Sequence, residues 1–161
     1  MASIRKEIRL DAAPDIVWNA IRDVGLVHRK LAPSFVADCR LEDAGDTRVV
    51  TFANGLVARE RIVDIDDGAR RLVWAVVEGR PKHHNASLQV FAEATGGSRI
   101  VWIADLLPND LAEPIAGMME QGMWAMKETL EGGTNAGGQP ERITCSPPRD
   151  DLPIELCGQT S

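Results

Sequence analysis

Tyrosine is missing from this chain of 161 residues, and large rings are few, with four Trp and three Phe. The positions of so few aromatic residues therefore carry information about the core. No apolar run approaches the roughly 18 residues that a helix needs to cross a bilayer, and the first residues lack the apolar stretch of a signal peptide. We therefore expect a cytoplasmic protein without a membrane span.

Basic residues and cysteines are also scarce. The 18 Lys and Arg residues are outnumbered by 24 Asp and Glu residues, which gives a net charge of −6. Because nucleic-acid affinity rests on clustered basic side chains, we expect no nucleic-acid partner. Cys39, Cys145 and Cys157 do not have the spacing of a metal site, and the sequence contains no phosphate-binding glycine loop before a helix and no His-x-x-x-His pair. The sequence therefore predicts no metal and no cofactor.

The composition changes after Glu131. Residues 132–161 hold five Gly and four Pro. A segment of this kind buries too little apolar surface to offset the entropy that is lost when it becomes ordered. We expect residues 1–131 to form one domain and residues 132–161 to form a flexible tail, with a short docked piece at residues 152–156.

Strand and helix signals alternate along the predicted domain. Apolar residues at positions 4, 8 and 10 predict a first strand, and Pro14 at the start of a helical pattern predicts a first helix. A short helix is expected near residues 27–31. Asn54-Gly55 is a strong hairpin signal, and comparable turns separate the other strands, which favours an antiparallel sheet. The six later strands are predicted at residues 35–42, 48–53, 56–65, 72–78, 83–93 and 99–107.

A long helix from Glu113 or Pro114 to Glu131 closes the predicted domain. At ~1.5 Å per residue it spans roughly 27 Å, which is enough to cross a sheet. The simplest packing is an α+β fold in which a strongly curved antiparallel sheet holds this helix in its concave side.

One stripe of this helix is rich in methionine. Four of the five Met residues of the chain lie on the helix, and Met adapts to irregular apolar partners. Gly122 in mid-helix costs about 1 kcal/mol relative to Ala, which indicates that another group approaches the backbone there. Two interpretations stay open, namely the wall of a pocket and a loosely specified core. The stripe consists of Ile115, Met119, Gly122, Met123, Met126 and Leu130, and Met118 and Trp124 flank it.

Glu60 is the first candidate for a polar group inside the fold. Strand alternation places it on one face with Ala58 and Ile62, opposite Arg59 and Arg61. A buried carboxylate is costly unless it is paired or hydrogen-bonded, so Glu60 is either a site residue or a member of a polar network. The alternative is that Glu60 is solvated or paired on the surface.

His84 is the second polar candidate. It alternates with apolar residues of its strand and is expected to face inward as a donor or proton shuttle, unless it is a loop-end histidine near Lys82. Three aromatic residues share such inward faces: Phe52, Trp74 and Trp102. Because there is no phenol, polar chemistry in a cavity falls to Glu60, His84 or water, which favours apolar ligand binding over catalysis.

Several local strings accompany this order of elements. They are Ala13-Pro14-Asp15-Ile16-Val17-Trp18, Glu60-Arg61-Ile62-Val63-Asp64-Ile65-Asp66, Arg71-Leu72-Val73-Trp74, Gly97-Ser98-Arg99-Ile100-Val101-Trp102 and Met126-Lys127-Glu128-Thr129-Leu130-Glu131. Over residues 3–131 the chain resembles the START-like, helix-grip superfamily of polyketide cyclase/dehydrase and lipid transport (SRPBCC) domains.

The resemblance implies a seven-stranded antiparallel sheet that grips the C-terminal helix. It also implies two short helices that close one end and a cavity between sheet and helix. The ligand-facing positions that it implies are Glu60, Trp74, His84, Trp102, Met119, Met123 and Met126, and Phe52 joins them from the strand pattern.

Three hypotheses of function follow. The first is binding of a small lipid-, aromatic- or polyketide-like ligand in the cavity, a hypothesis that fails if no cavity above about 300 Å³ lies beside the long helix. The second is a metal-free cyclase or dehydratase that uses Glu60 and His84 as general acid and base. The third is an interaction module that uses the sheet edge or the tail, or that forms a homodimer.

Overall fold

The computed structural model describes residues 1–132. The predicted tail, with its docked piece at residues 152–156, therefore lies outside the described residues except for Gly132, as do Cys145 and Cys157. Within the described part of the chain, no helix combines the length and the apolar character needed to cross a membrane.

Seven antiparallel strands form one sheet in the order β1-β7-β6-β5-β4-β3-β2. Each of the six later strands begins and ends within one residue of its predicted bounds, because turn signals punctuate the sequence clearly between them. The strands are β1 (Ala2–Leu10), β2 (Val36–Glu42), β3 (Thr47–Phe52), β4 (Val57–Asp66), β5 (Arg71–Glu78), β6 (His83–Ala92) and β7 (Ser98–Leu107).

Two α-helices, one turn of π-helix and two 3-10 turns, at Asp43–Gly45 and Asn109–Leu111, complete the fold. Helix α1 (Pro14–Arg22) begins with proline at its first position. Proline is tolerated there because the N–H of the first helical residue makes no hydrogen bond within the helix. The π-helical turn spans Val27–Leu31. Helix α2 (Ala112–Gly132) starts slightly earlier than predicted, because Pro114 is tolerated within the first turn.

Irregularities in the strand pairing shape the sheet around α2. The register of β4 against β5 shifts between Arg59 and Glu60, and again between Ile62 and Asp64. Such bulges bend a strand and re-aim its side chains. The pairing of β5 with β6 covers only Arg71 to Trp74, so the two strands separate toward the loop that joins them.

The core lies between the concave face of the sheet and the apolar stripe of α2. Met119, Met123 and Met126 are all buried there. A Cβ on Gly122 would lie 3.0 Å from Cε1 of Phe35 and 3.0 Å from Cζ3 of Trp102. Two aromatic rings therefore approach the helix backbone where the sequence indicated a close neighbour.

Candidate functional site

A cavity of about 250 Å³ separates the N-terminal half of α2 from the sheet. The hairpin between β3 and β4 and the loop between β5 and β6 complete its wall. Exposed side chains such as Leu56 and Arg80 belong to the lining, so the cavity reaches the protein surface. Six predicted site residues line it: Phe52, Glu60, Trp74, His84, Trp102 and Met119.

A second, deeper cavity of about 60 Å³ adjoins the first. The two cavities share wall residues, among them Phe35, Glu60 and Trp102, and the inner one extends to Arg48 and Met126. The larger cavity falls below the threshold of about 300 Å³, because Trp and Met side chains occupy much of the space between sheet and helix. The binding hypothesis therefore fails for a drug-sized ligand. Since an apolar cavity of about 150 Å³ binds benzene, the observed size suits a compound of one or two rings.

Glu60 is buried, as strand alternation predicted. Its Oε2 accepts a hydrogen bond of 2.7 Å from Nε of Arg48, and the two side chains are 8% and 7% exposed. Arg48 lies directly opposite Glu60 in the β3–β4 pairing, and its Nη1 donates to the carbonyl of Val24 at 3.3 Å. The guanidinium carbon lies 5.5 Å from the ring centroid of Trp74, a distance at which cation and ring attract each other. Glu60 therefore belongs to a buried polar network.

Arg48, the partner of Glu60, is not among the predicted site residues. The sequence nevertheless indicates that Arg48 faces inward. Arg48 alternates with Val50 and Phe52, and this alternation places all three side chains on the inner face of β3. An arginine on the inner face of one strand beside a glutamate on the inner face of the next predicts a cross-strand ion pair.

His84 is half-buried in the wall of the larger cavity. The backbone N–H of Val76 points at Nδ1 of the imidazole at 3.5 Å, a long contact formed where the pairing of β5 with β6 has ended. Burial lowers the pKa of His84, and the charge of Glu60 opposes that shift only in part. The imidazole is therefore neutral at pH 7 and presents one donor and one acceptor.

Two tryptophans form the aromatic wall. The ring centroids of Trp74 and Trp102 lie 5.7 Å apart at an angle of 53°, and both rings line both cavities. Phe52 packs edge-on against Phe35 at 5.2 Å. Nε1 of Trp102 is buried and has no hydrogen-bond partner among residues 1–132.

The methionines of α2 divide between the cavities and the core. Met119 and Met118 line the larger cavity, whereas Met126 lines the inner one. Met123 is buried in the core and is not among the residues that line either cavity. The inner stripe of the helix is thus partly cavity wall and partly core.

Cysteine and metal-ligating side chains add little to this site. Cys39 is buried and unpaired, and its thiol contacts the same Val24 carbonyl that accepts from Arg48, at 3.4 Å. Burial raises the pKa of this thiol, so it stays protonated. Residues 1–132 contain no group of three or more His, Cys, Asp or Glu side chains arranged to hold a metal ion.

A curved antiparallel sheet that grips one long helix, with an apolar cavity between them, defines a START-type helix-grip domain. The chain belongs to the polyketide cyclase/dehydrase and lipid transport family, whose sequence profile matches residues 1–132. A comparison with curated proteins gave no match.

Solved structures share this fold at low sequence identity. The protein XoxI from Bacillus cereus superposes with a TM-score of 0.71 at 17% identity, over 81% of this chain and 96% of that one. A START superfamily protein from Mycobacterium smegmatis gives 0.65 at 10% identity, over 81% and 97%. A point mutant of norcoclaurine synthase from Thalictrum flavum, in complex with a transition-state analogue, gives 0.65 at 15% identity, over 83% and 96%.

Proposed function

We propose that this protein binds a small hydrophobic ligand in the cavity between the sheet and α2. The observation that carries the proposal is a cavity of about 250 Å³ whose wall is mostly aromatic and aliphatic. Apolar walls supply affinity by removing ligand surface from water, and a few polar groups fix orientation. The family description, which includes lipid transport, supports this function.

Native mass spectrometry of freshly purified protein tests the proposal. The expected result is a complex heavier than the apoprotein by the mass of one small molecule, which is released and identified after denaturation. A cavity-filling variant, Ala58→Phe, should lose the molecule, because Ala58 lines the cavity. The matched control is Val63→Phe on the same strand, whose side chain is 57% exposed. Equal occupancy in all three proteins would show that the molecule binds elsewhere.

An enzymatic function is a second candidate, because Glu60 and His84 line the same cavity. A carboxylate and a neutral imidazole that face one substrate suit general acid–base chemistry, such as loss of water or ring closure. However, Arg48 engages Oε2 of Glu60, and a carboxylate in an ion pair is better suited to orient a ligand than to exchange protons. Binding is therefore the function that we place first.

The molecules that co-purify with the variants separate the two candidates. For an enzyme, Glu60→Gln and His84→Gln should carry an unreacted substrate whose mass differs from that of the wild-type molecule by a water or another reaction increment. For a binding protein, any variant that retains a ligand should carry the same molecule as the wild type.

A further inference from the structure

The ion pair between Arg48 and Glu60 is not saturated by the protein itself. Within residues 1–132, Oε2 of Glu60 accepts the bond from Arg48 and Oε1 accepts none. Arg48 donates through Nε and Nη1, whereas Nη2 has no acceptor among these residues. Neither Oε1 nor Nη2 is among the fully buried atoms that lack a partner. A carboxylate oxygen and a guanidinium nitrogen thus keep unused, accessible hydrogen-bonding capacity.

The accessible side of this pair is the cavity side. Glu60 lines both cavities and Arg48 lines the inner one. Because the two side chains are only 8% and 7% exposed, a molecule that reaches their free atoms must do so chiefly from the cavities. The pair therefore offers a ligand one hydrogen-bond acceptor, Oε1 of Glu60, beside one hydrogen-bond donor, Nη2 of Arg48.

The charge of the site decides which ligand group fits. Arg48 and Glu60 balance each other, and His84, which lines the larger cavity with Glu60, is neutral at pH 7. The other charged residues that line the larger cavity, Glu78 and Arg80, are exposed and carry opposite charges. A carboxylate or an ammonium group would add an unbalanced charge beside two side chains that are almost fully buried, which costs several kcal/mol. A neutral group that both donates and accepts would complete the free positions of Glu60 and Arg48 without that cost.

We infer that the ligand carries a neutral hydroxyl or carboxamide group on its apolar body, and that this group binds to the Arg48–Glu60 pair. The inference rests on the proposed cavity function. Hydroxyl and carboxamide are two forms of one recognition chemistry, since each offers a donor to Glu60 and an acceptor to Arg48.

A matched set of two-ring probes tests the inference. The three probes share the naphthalene ring system. Naphthalene carries no polar group, 2-naphthol carries a neutral hydroxyl, and 2-naphthoate carries an anionic carboxylate. Dissociation constants would be measured by NMR titration of the full chain after extraction of any co-purified molecule. We expect 2-naphthol to bind about tenfold more tightly than naphthalene, as hydrogen bonds to charged partners predict, and at least tenfold more tightly than 2-naphthoate.

Two variants separate recognition by the pair from general effects on the cavity. In Arg48→Met/Glu60→Leu, which replaces the pair by apolar side chains, the tenfold advantage of 2-naphthol over naphthalene should disappear. In Glu60→Gln, Arg48 loses its counter-charge, so the preference should shift toward 2-naphthoate by about tenfold. Loss of packing alone would weaken both probes and leave the ratio of their affinities unchanged.

The outcomes distinguish failure of the inference from failure of the proposed function. Equal affinity of wild-type protein for naphthalene and 2-naphthol, or an advantage of 2-naphthol that survives in the double variant, would overturn the inference and leave the cavity function standing. Failure of all three probes to bind the wild type would overturn both.

Discussion

Gly122 of α2 lies directly against the indole of Trp102. A Cβ on this glycine would stand 3.0 Å from Cζ3 of Trp102 and 3.0 Å from Cε1 of Phe35, closer than ordinary van der Waals contact. Both rings line the two cavities. The helix backbone therefore helps to set how far these rings protrude into the space for a ligand.

Gly122→Ala is expected to shrink the cavity. The methyl group must push both rings toward the cavity, so affinity for two-ring probes should fall. The gain of about 1 kcal/mol in helix propensity is offset by about 1–3 kcal/mol of overpacking, which predicts a net loss of about 1 kcal/mol in the free energy of unfolding. Urea unfolding and probe titration measure the two effects.

Gly117→Ala is the control on the same helix. A Cβ there meets nothing within 4 Å, so the variant should gain up to about 1 kcal/mol of stability and bind probes normally. If both alanine variants raised the free energy of unfolding equally, the close approach of the rings to Gly122 would not affect stability.

Removal of one member of the buried ion pair should destabilise the protein strongly. Glu60→Leu leaves Arg48 without its counter-charge in an environment where both side chains are less than 10% exposed. We expect a loss of about 3–5 kcal/mol, and recovery of most of it in Arg48→Met/Glu60→Leu. Thermal and urea unfolding give these values.

Lys30→Met is the matched surface control for the ion pair. Lys30 pairs with Asp23 at 2.6 Å, but the two side chains are 53% and 36% exposed. Because water screens such pairs, the loss should be at most about 1 kcal/mol. A double variant no more stable than Glu60→Leu would contradict the role that we assign to the unpaired charge.

The fold was largely predictable because its signals are local. Turns such as Asn54-Gly55 separate the strands, and alternation within each strand determines which side chains face inward. The inward orientation of Glu60 followed from this pattern alone. These features require no knowledge of which strands become neighbours.

The site was less predictable because it depends on pairings between strands. The bond between Arg48 and Glu60 requires the β3–β4 register, which alternation within a single strand does not determine. Met123 and Met126 belong to the same stripe, yet only Met126 lines a cavity. Periodicity identifies the buried face of a helix, whereas the position of empty space along that face depends on rings supplied by other elements, here Phe35 and Trp102.

Gly97→Ala is expected to destabilise the contact between the β6–β7 turn and the end of β1. A Cβ at Gly97 would collide with the backbone carbonyl oxygen of Leu10, and a backbone atom in a paired strand cannot move away easily. We expect a loss of about 1–3 kcal/mol. Gly68→Ala in another turn is the control, because its Cβ would meet only Asp66 Oδ1 at 3.4 Å. Equal midpoints in urea for the two variants would refute the predicted collision.

His84 should make the stability of the protein depend on pH in the acid range. Burial lowers its pKa from the ordinary value of 6.5, so below about pH 6.5 the unfolded chain takes up a proton that the folded protein resists. Above the pKa that His84 has in the unfolded chain, its protonation therefore costs no stability. As the pH falls from that value toward the pKa of His84 in the folded protein, the free energy of unfolding decreases. Urea unfolding between pH 8 and 5 should show a steeper loss of stability for the wild type than for His84→Gln. Parallel curves for the wild type and His84→Gln would show that another group causes the acid sensitivity.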